Sequence, residues 1–462
     1  MFALNPEFRR YLWTELTPHR IVAMPLVLAG LFYLTWVTRD YQSVWNPRDA
    51  ALAGFGVLIF LWGTRLAGEA VSQEVLDRTW DSQRMSVLSP WSMTWSKLTG
   101  STIFVWYGAI ICLLLFVVAL QRHFPFFPQE RAWQIIGWAL GCGALSHAMS
   151  LLVSIVSVTK RRRINRRRVS GFQVLGLLLL APFFFGVIYL LYTPLEAERQ
   201  VLWYGRELSL AKFLLLSVWT FFAWTVLAIV RVMGEELQTP RAPLAWALFL
   251  TFLFGYGAGF VNVTDSLSEY DNLIARVAFC LPLAMALTYY AAIAESRDLM
   301  AYRLTLHHAR RAQWKPFFHA LPLWWITYGV SMGLLLALLF MPLSVDLVAS
   351  SIIHVGEGEE VHVKWALIAA FLFMTRDIAL MQMLHMNTAA KRPDLTTMLY
   401  LLVLYGLLPT AMRVMEIGGA TLPLFYPMAG YDPALIVGPP LVEALVTITL
   451  AWSRWRSMMR RA

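Results

Sequence analysis

The sequence predicts an all-α integral membrane protein of about 12 transmembrane helices, set in two parallel pseudo-repeats of six with the N- and C-termini cytoplasmic. Three observations carry this expectation. The 462 residues are 58% hydrophobic and only 14% charged, with a mean hydropathy of +0.58, which is more apolar surface than a soluble core could hide. Stretches of about 20 apolar residues, the length that crosses roughly 30 Å of hydrocarbon as a helix, recur from end to end. The basic residues, which leave the chain at net charge +10, gather in alternate loops.

Before the first apolar run, NPEFRRYLWTELTPHR places Phe8, Tyr11, Leu12 and Leu16 on one helical face, with Glu7, Arg9, Arg10 and Glu15 elsewhere. This pattern predicts an amphipathic helix lying in the inner interface, with Trp13 as an anchor and Pro18 as the break before the chain enters the bilayer. The segment lacks the short basic head of a cleavable signal peptide, so it is expected to be retained.

Apolar runs between charged or Pro/Gly-rich breaks then place spans at about 20–38, 50–70, 98–120, 132–159, 169–193, 211–233, 242–263, 274–295, 319–342, 364–386, 395–416 and 434–453. With the N-terminus inside, the inner segments hold 27 of the 38 basic residues, including the run KRRRINRRR at 160–168. That asymmetry sets the orientation and reads the run as a topology signal facing anionic lipid, not as a nucleic-acid patch. Cys112, Cys142 and Cys280 all fall inside spans, where a thiol acts as a small apolar group, so no disulfide framework is expected.

The six-span plan occurs twice. Glu69 and Pro90 flank the loop after the second span, and Glu295 and Pro316 flank the loop after the eighth at the same separation. Residues 1–235 and 240–462 therefore read as diverged copies whose interface could enclose a path.

The loop after the second span is unusually rich. The chain leaves that span through RLAGEAVSQEVLDRTWD, where Arg65 and Glu69 are spaced to pair, and continues as QRMSVLSPWSMTWSKL. Ser89 and Pro90 signal a helix start, and Trp91 and Trp95 then fall one turn apart as an aromatic ridge suited to a partner's socket. TWDSQRMSVLSPWSMTWSKLTG, running directly into the next span, resembles the coupling-helix pattern of permease subunits of type 2 ABC exporters, and the N-terminal amphipathic segment fits that family too.

The resemblance covers residues 1–235 specifically. It implies that a coupling segment made of Arg78, Thr79, Trp80, Asp81, Arg84, Leu88, Ser89, Pro90, Trp91 and Lys97 binds a separate cytoplasmic ATPase. The second copy, MAYRLTLHHARRAQWKPFFHALPLWW, keeps the loop length and the proline but lacks the Thr-x-Asp element. Arg310, Arg311, Trp314, Lys315 and Pro316 are its candidate second coupling segment.

The family further implies two ATPase subunits per chain, ATP and Mg bound by those partners, and a bacterial inner membrane. No G-x-x-x-x-G-K-[ST] loop occurs, so no cofactor is expected in this chain and energy must come from a partner or an ion gradient.

Polar residues at membrane depth are His147, Arg376, Asp377 and Glu443. Arg376 and Asp377 point about 100° apart on a helix, so one partner cannot meet both; one of them is expected to meet Glu443 or a residue of another helix, and structural pairing inside the bundle is favoured over substrate contact or a proton relay. His354, Glu357, Glu359, Glu360 and His362 form an acidic outer loop without a strict metal signature, so no metal is expected.

Two other classes compete with the exporter reading. An ion-coupled secondary transporter of twelve spans would use Asp377, Glu443 or His147, and a membrane-embedded transferase would need the 354–362 cluster. The substrate cannot be read from these residues, although a lipid-like or amphipathic cargo would suit apolar and aromatic walls.

Overall fold

Long apolar runs leave the backbone no partner but itself, and helix accounts for nearly all of the secondary structure in the computed structural model of the chain. The structure describes residues 5–38, 46–86, 88–160, 171–193, 198–239, 243–261, 269–294, 299–341, 362–386, 393–415 and 419–461. Most of the 160–168 run, Glu295, and His354, Glu357, Glu359 and Glu360 of the outer loop lie outside the described residues. His362 is described and occupies the position before the helix that follows it, without a side-chain cap hydrogen bond.

In chain order the helices are α1 (Pro6–Glu15), α2 (Pro18–Thr38), α3 (Pro47–Leu76), α4 (Trp80–Arg84), α5 (Pro90–Trp95), α6 (Ile103–His123), α7 (Gln129–Lys160), α8 (Gly171–Tyr192) and α9 (Leu210–Glu236). They continue as α10 (Leu244–Ala258), α11 (Glu269–Ala294), α12 (Leu299–Arg310), α13 (Trp314–Ala320), α14 (Leu323–Phe340), α15 (Val363–His385), α16 (Pro393–Leu402), α17 (Leu408–Val414) and α18 (Pro433–Arg461). A hairpin of β1 (Gln200–Trp203) and β2 (Arg206–Ser209) is the one sheet among the described residues.

Among the described residues ten helices are long and apolar enough to cross a membrane, and Leu178–Tyr192 and Leu244–Ala258 are shorter apolar helices. This is an all-α, multi-pass membrane protein. Each of the twelve expected segments overlaps one of these apolar helices, with ends that differ by several residues at a number of boundaries. The third was placed at 98–120, but its helix starts at Ile103, because Lys97 to Gly100 belong to a π-turn (Ser96–Gly100) that continues α5.

The chain divides into two compact units, Met1–Val201 with Glu207–Arg241 and Leu202–Arg206 with Ala242–Ala462. Each uses the same order of neighbours. In the first unit α3 packs against α2 and α6, and α7 against α8 and α9. In the second α11 packs against α10 and α14, and α15 against α16 and α18.

α3 is not regular. A π-turn at Val57–Gly63 interrupts it, and α7 side chains donate to its backbone just after the turn: Ser150 Oγ to Thr64 O at 2.6 Å and Ser154 Oγ to Gly68 O. His147 Nε2 lies 3.0 Å from Ile59 O, which puts the ring proton on Nε2. Gly63 makes this approach possible, since a Cβ there would sit 2.1 Å from His147 Nε2. His147 is thus a buried helix-to-helix strut.

Candidate functional site

The expected loop after the second span is a built structure at one end of the first unit. α3 stops in a Schellman turn. Arg78 takes the left-handed conformation (φ 59°), its N–H donates to Val75 O at 3.2 Å, and Thr79 N–H donates to Glu74 O at 2.9 Å. α4 follows at once. Ser89 then caps α5 by accepting the Ser92 N–H at 3.2 Å, with Pro90 as the first helical residue.

Under these two short helices lies a knot of buried charge. The Lys97 ammonium is fully buried, donates to Glu74 Oε2 and to Gln83 Oε1 (2.9 Å), and lies 2.8 Å from Glu7 Oε1. Glu74 Oε1 accepts from Arg10 Nη2 at 2.7 Å and from Gln83 Nε2 at 2.8 Å. The Trp80 ring sits 5.2 Å from the ammonium. Asn5 Nδ2 ties the start of α1 to α5 through Ser92 O at 3.1 Å and Ser92 Oγ at 2.8 Å. Gly100 leaves room for Tyr11, which a Cβ there would meet at 2.6 Å.

Residues from α1, α3, α4 and the α5 extension therefore converge on one ammonium. Such a cluster is held by mutual pairing, because an isolated buried charge is very costly. Burial pushes the Glu7 carboxyl above its ordinary pKa, only partly offset by the attraction of Lys97, and burial likewise raises the Tyr11 phenol.

The structure separates the residues of the coupling segment into two sets. Trp80, Pro90 and Lys97 are buried and hold the segment, so they are not a surface as the sequence reading had grouped them. Asp81, Ser89 and Trp91 are exposed, as are Arg78 and Thr79, while Leu88 and Arg84 are half-buried. Arg84 Nε donates to Glu236 O at 2.9 Å, fastening α4 to the end of α9. Beside this bond a cleft of about 260 Å³ is walled by Asp81, Arg84, Met85, Glu236, Leu237 and Gln238. Met85 is 82% exposed and Trp91 38%, and the Trp91 and Trp95 rings meet edge-on at 5.8 Å.

α1 also corrects the sequence reading. Glu7 was set apart from the apolar face, yet it is buried beside Tyr11, because Lys97 supplies the countercharge that lets a carboxylate occupy that face. Glu7, Glu74 and Gln83 were all missed as site residues. The available signal was Glu7 lying four residues before Tyr11, on the same helical stripe.

In the second unit the counterpart segment is open. α12 ends in the same Schellman turn, with Ala312 at φ 54°, its N–H donating to Ala309 O at 3.1 Å and Gln313 N–H to His308 O at 2.9 Å. Trp314 then opens α13 as Trp80 opens α4, so local geometry pairs Trp314 with Trp80 and not Pro316 with Pro90. Pro316 is the third residue of α13, whereas Pro90 is the first of α5. Arg310, Arg311, Trp314, Lys315 and Pro316 are all exposed, Trp314 by 60%, and no residue of α13 is buried.

The intramembrane charges do come together. Arg376 Nε donates to Asp377 Oδ1 at 2.8 Å and Arg376 Nη1 to Glu443 Oε2 at 2.5 Å, while Tyr289 and Tyr405 hydroxyls donate to Asp377 Oδ2 at 2.7 and 2.6 Å. One of the two neighbours, Arg376, meets Glu443 on α18, and its long side chain also folds back over Asp377, so the adjacent pair bond to each other. Among the described residues no group of three or more His, Cys, Asp or Glu side chains is placed to hold a metal ion.

Compared with known proteins, the chain matches no family model, no curated protein and no solved structure.

Proposed function

We propose that the chain is the membrane-spanning permease subunit of an exporter of the ABC type, driven by separate cytoplasmic ATPase subunits, two per chain. The carrying observation is the knot at Lys97. It fastens α1, the end of α3, α4 and α5 to one another, leaving Arg78, Asp81, Met85 and Trp91 exposed along one edge. A segment built this way transmits a push as a unit, since moving it without moving the helices would break buried ion pairs. The positive-inside pattern supports a cytoplasmic position for this edge, and the missing P-loop supports an outside source of energy. ATP and Mg would be held by the partner, and a bacterial inner membrane suits the resemblance.

The test is copurification from mild detergent followed by ATPase assay. The reading expects a P-loop ATPase to accompany the chain, and expects Trp91→Ala with Met85→Ala to lower coupled hydrolysis while membrane insertion is unchanged. Recovery of the chain alone, with transport intact in ATP-free vesicles, would contradict it.

An ion-coupled secondary transporter is the second reading, favoured by Asp377 and Glu443 at membrane depth. Asp377 accepts from three donors, however, which suits a structural tie better than a group that exchanges protons during transport.

A further inference from the structure

The second unit contains a cavity of about 500 Å³, within the range of sites that bind small organic ligands. Its walls come from α12, α14, α15 and α18, and they are aromatic: Tyr302, Trp324, Trp325, Tyr328, Trp452 and Trp455. Two pairs of polar groups in the wall close on one another. Trp324 Nε1 donates to the Tyr302 hydroxyl at 3.0 Å, and the Tyr328 hydroxyl pairs with Thr375 Oγ1 at 2.9 Å.

One buried donor of the wall has no partner among the described residues. Gln382 also lines the cavity, is only 8% exposed, and its Nε2 is buried without a hydrogen-bond partner among the described residues. An unmet buried donor is costly, and a bound acceptor would relieve it. A cation also stands against the wall. The Arg456 guanidinium lies 5.1 Å from the Trp452 ring centre, and Arg456 forms no ion pair among the described residues.

We infer that this cavity binds an anionic lipid-like amphiphile. Its apolar chain lies among the tryptophans, an acceptor oxygen takes the Gln382 amide proton, and its negative head pairs with Arg456. Flat aromatic walls supply apolar contact at low entropy cost, and the neighbouring arginine selects charge. The inference goes beyond the exporter reading and does not need an ATPase, so the two fail separately.

The test uses the full chain in phosphatidylcholine nanodiscs without ATP or any partner, titrated with a diazirine-bearing stearate and with its methyl ester. Crosslinked residues are mapped by mass spectrometry. Labelling by the acid is expected to saturate and to concentrate on 324–328 and 448–455. Ala451→Phe, which fills the cavity, should reduce it at least about fivefold. Arg456→Gln, at an exposed position that does not endanger folding, should weaken the acid by a similar factor and leave the ester unchanged. Labelling spread over all apolar helices without saturation, or equal labelling by acid and ester in the unaltered protein, overturns the inference.

Discussion

The two units place the same turn before a short helix opened by a tryptophan and then treat the next few residues in opposite ways. After Arg78, the first unit buries Trp80 over the Lys97 ammonium and draws α1 and α3 onto it. After Ala312, the second unit leaves Trp314, Lys315 and Pro316 in the open, with no buried residue in α13. Backbone geometry alone therefore does not make a stiff loop. What differs is one lysine in the π-turn that continues α5 and two carboxylates, on α1 and α3, that reach it.

The sharpest way to break this contrast is to remove the ammonium. Lys97→Met leaves two buried carboxylates without their main countercharge and should cost about 3–5 kcal/mol of stability. Thermal unfolding in detergent should show a large drop, with early proteolysis before α2. Lys315→Met in the second unit should change stability by no more than ~0.5 kcal/mol, as for an ordinary surface position. Similar effects for the two substitutions would erase the distinction.

The intramembrane cluster gives the next largest effect. Asp377→Ala deprives Arg376 of a partner and leaves the Tyr289 and Tyr405 hydroxyls without their acceptor, so the loss should be about 2–4 kcal/mol. Glu443→Gln should cost less, because that side chain is a third exposed and the amide oxygen still accepts from Arg376. Unfolding midpoints of the two variants check the order.

A smaller effect is pH dependence of the α1 attachment. Burial holds the Glu7 pKa above its usual 4.5, so the folded state favours the protonated carboxyl. Its contribution to stability is fully present below pH 4.5 and is lost as pH rises through the folded value. Protection of α1 from proteolysis should decline over that window, and Glu7→Gln should flatten the decline. A decline that survives Glu7→Gln would place the titrating group elsewhere.

The spans were legible because an apolar run of membrane length has few alternatives, and so was the Arg65 to Glu69 pair, observed at 2.8 Å. The helix start at Pro90 was legible from Ser-Pro chemistry alone. The knot was not, because Glu7 and Lys97 are 90 residues apart and a helical pattern reports only neighbours within a turn or two. The π-turns at Val57–Gly63 and Ser96–Gly100 left no pattern either. α7 and α1 pack closely against those stretches, His147 against Gly63 and Tyr11 against Gly100, contacts that join residues far apart in the chain. Proline spacing pointed to the wrong counterpart for Pro316, since what recurs is a turn closed by backbone hydrogen bonds that any residue can form.

We propose that the exposed edge above the knot receives a cytoplasmic ATPase. A photocrosslinking residue placed at Met85 in living cells tests it most directly, with the same residue at Phe318 of α13 for comparison. The account predicts that Met85 captures a P-loop ATPase, that Lys97→Met abolishes the capture by loosening the segment, and that Trp91→Ala weakens it without loss of folded protein. Capture of no ATPase at Met85, while Lys97 is intact and the chain is folded in the membrane, would contradict it.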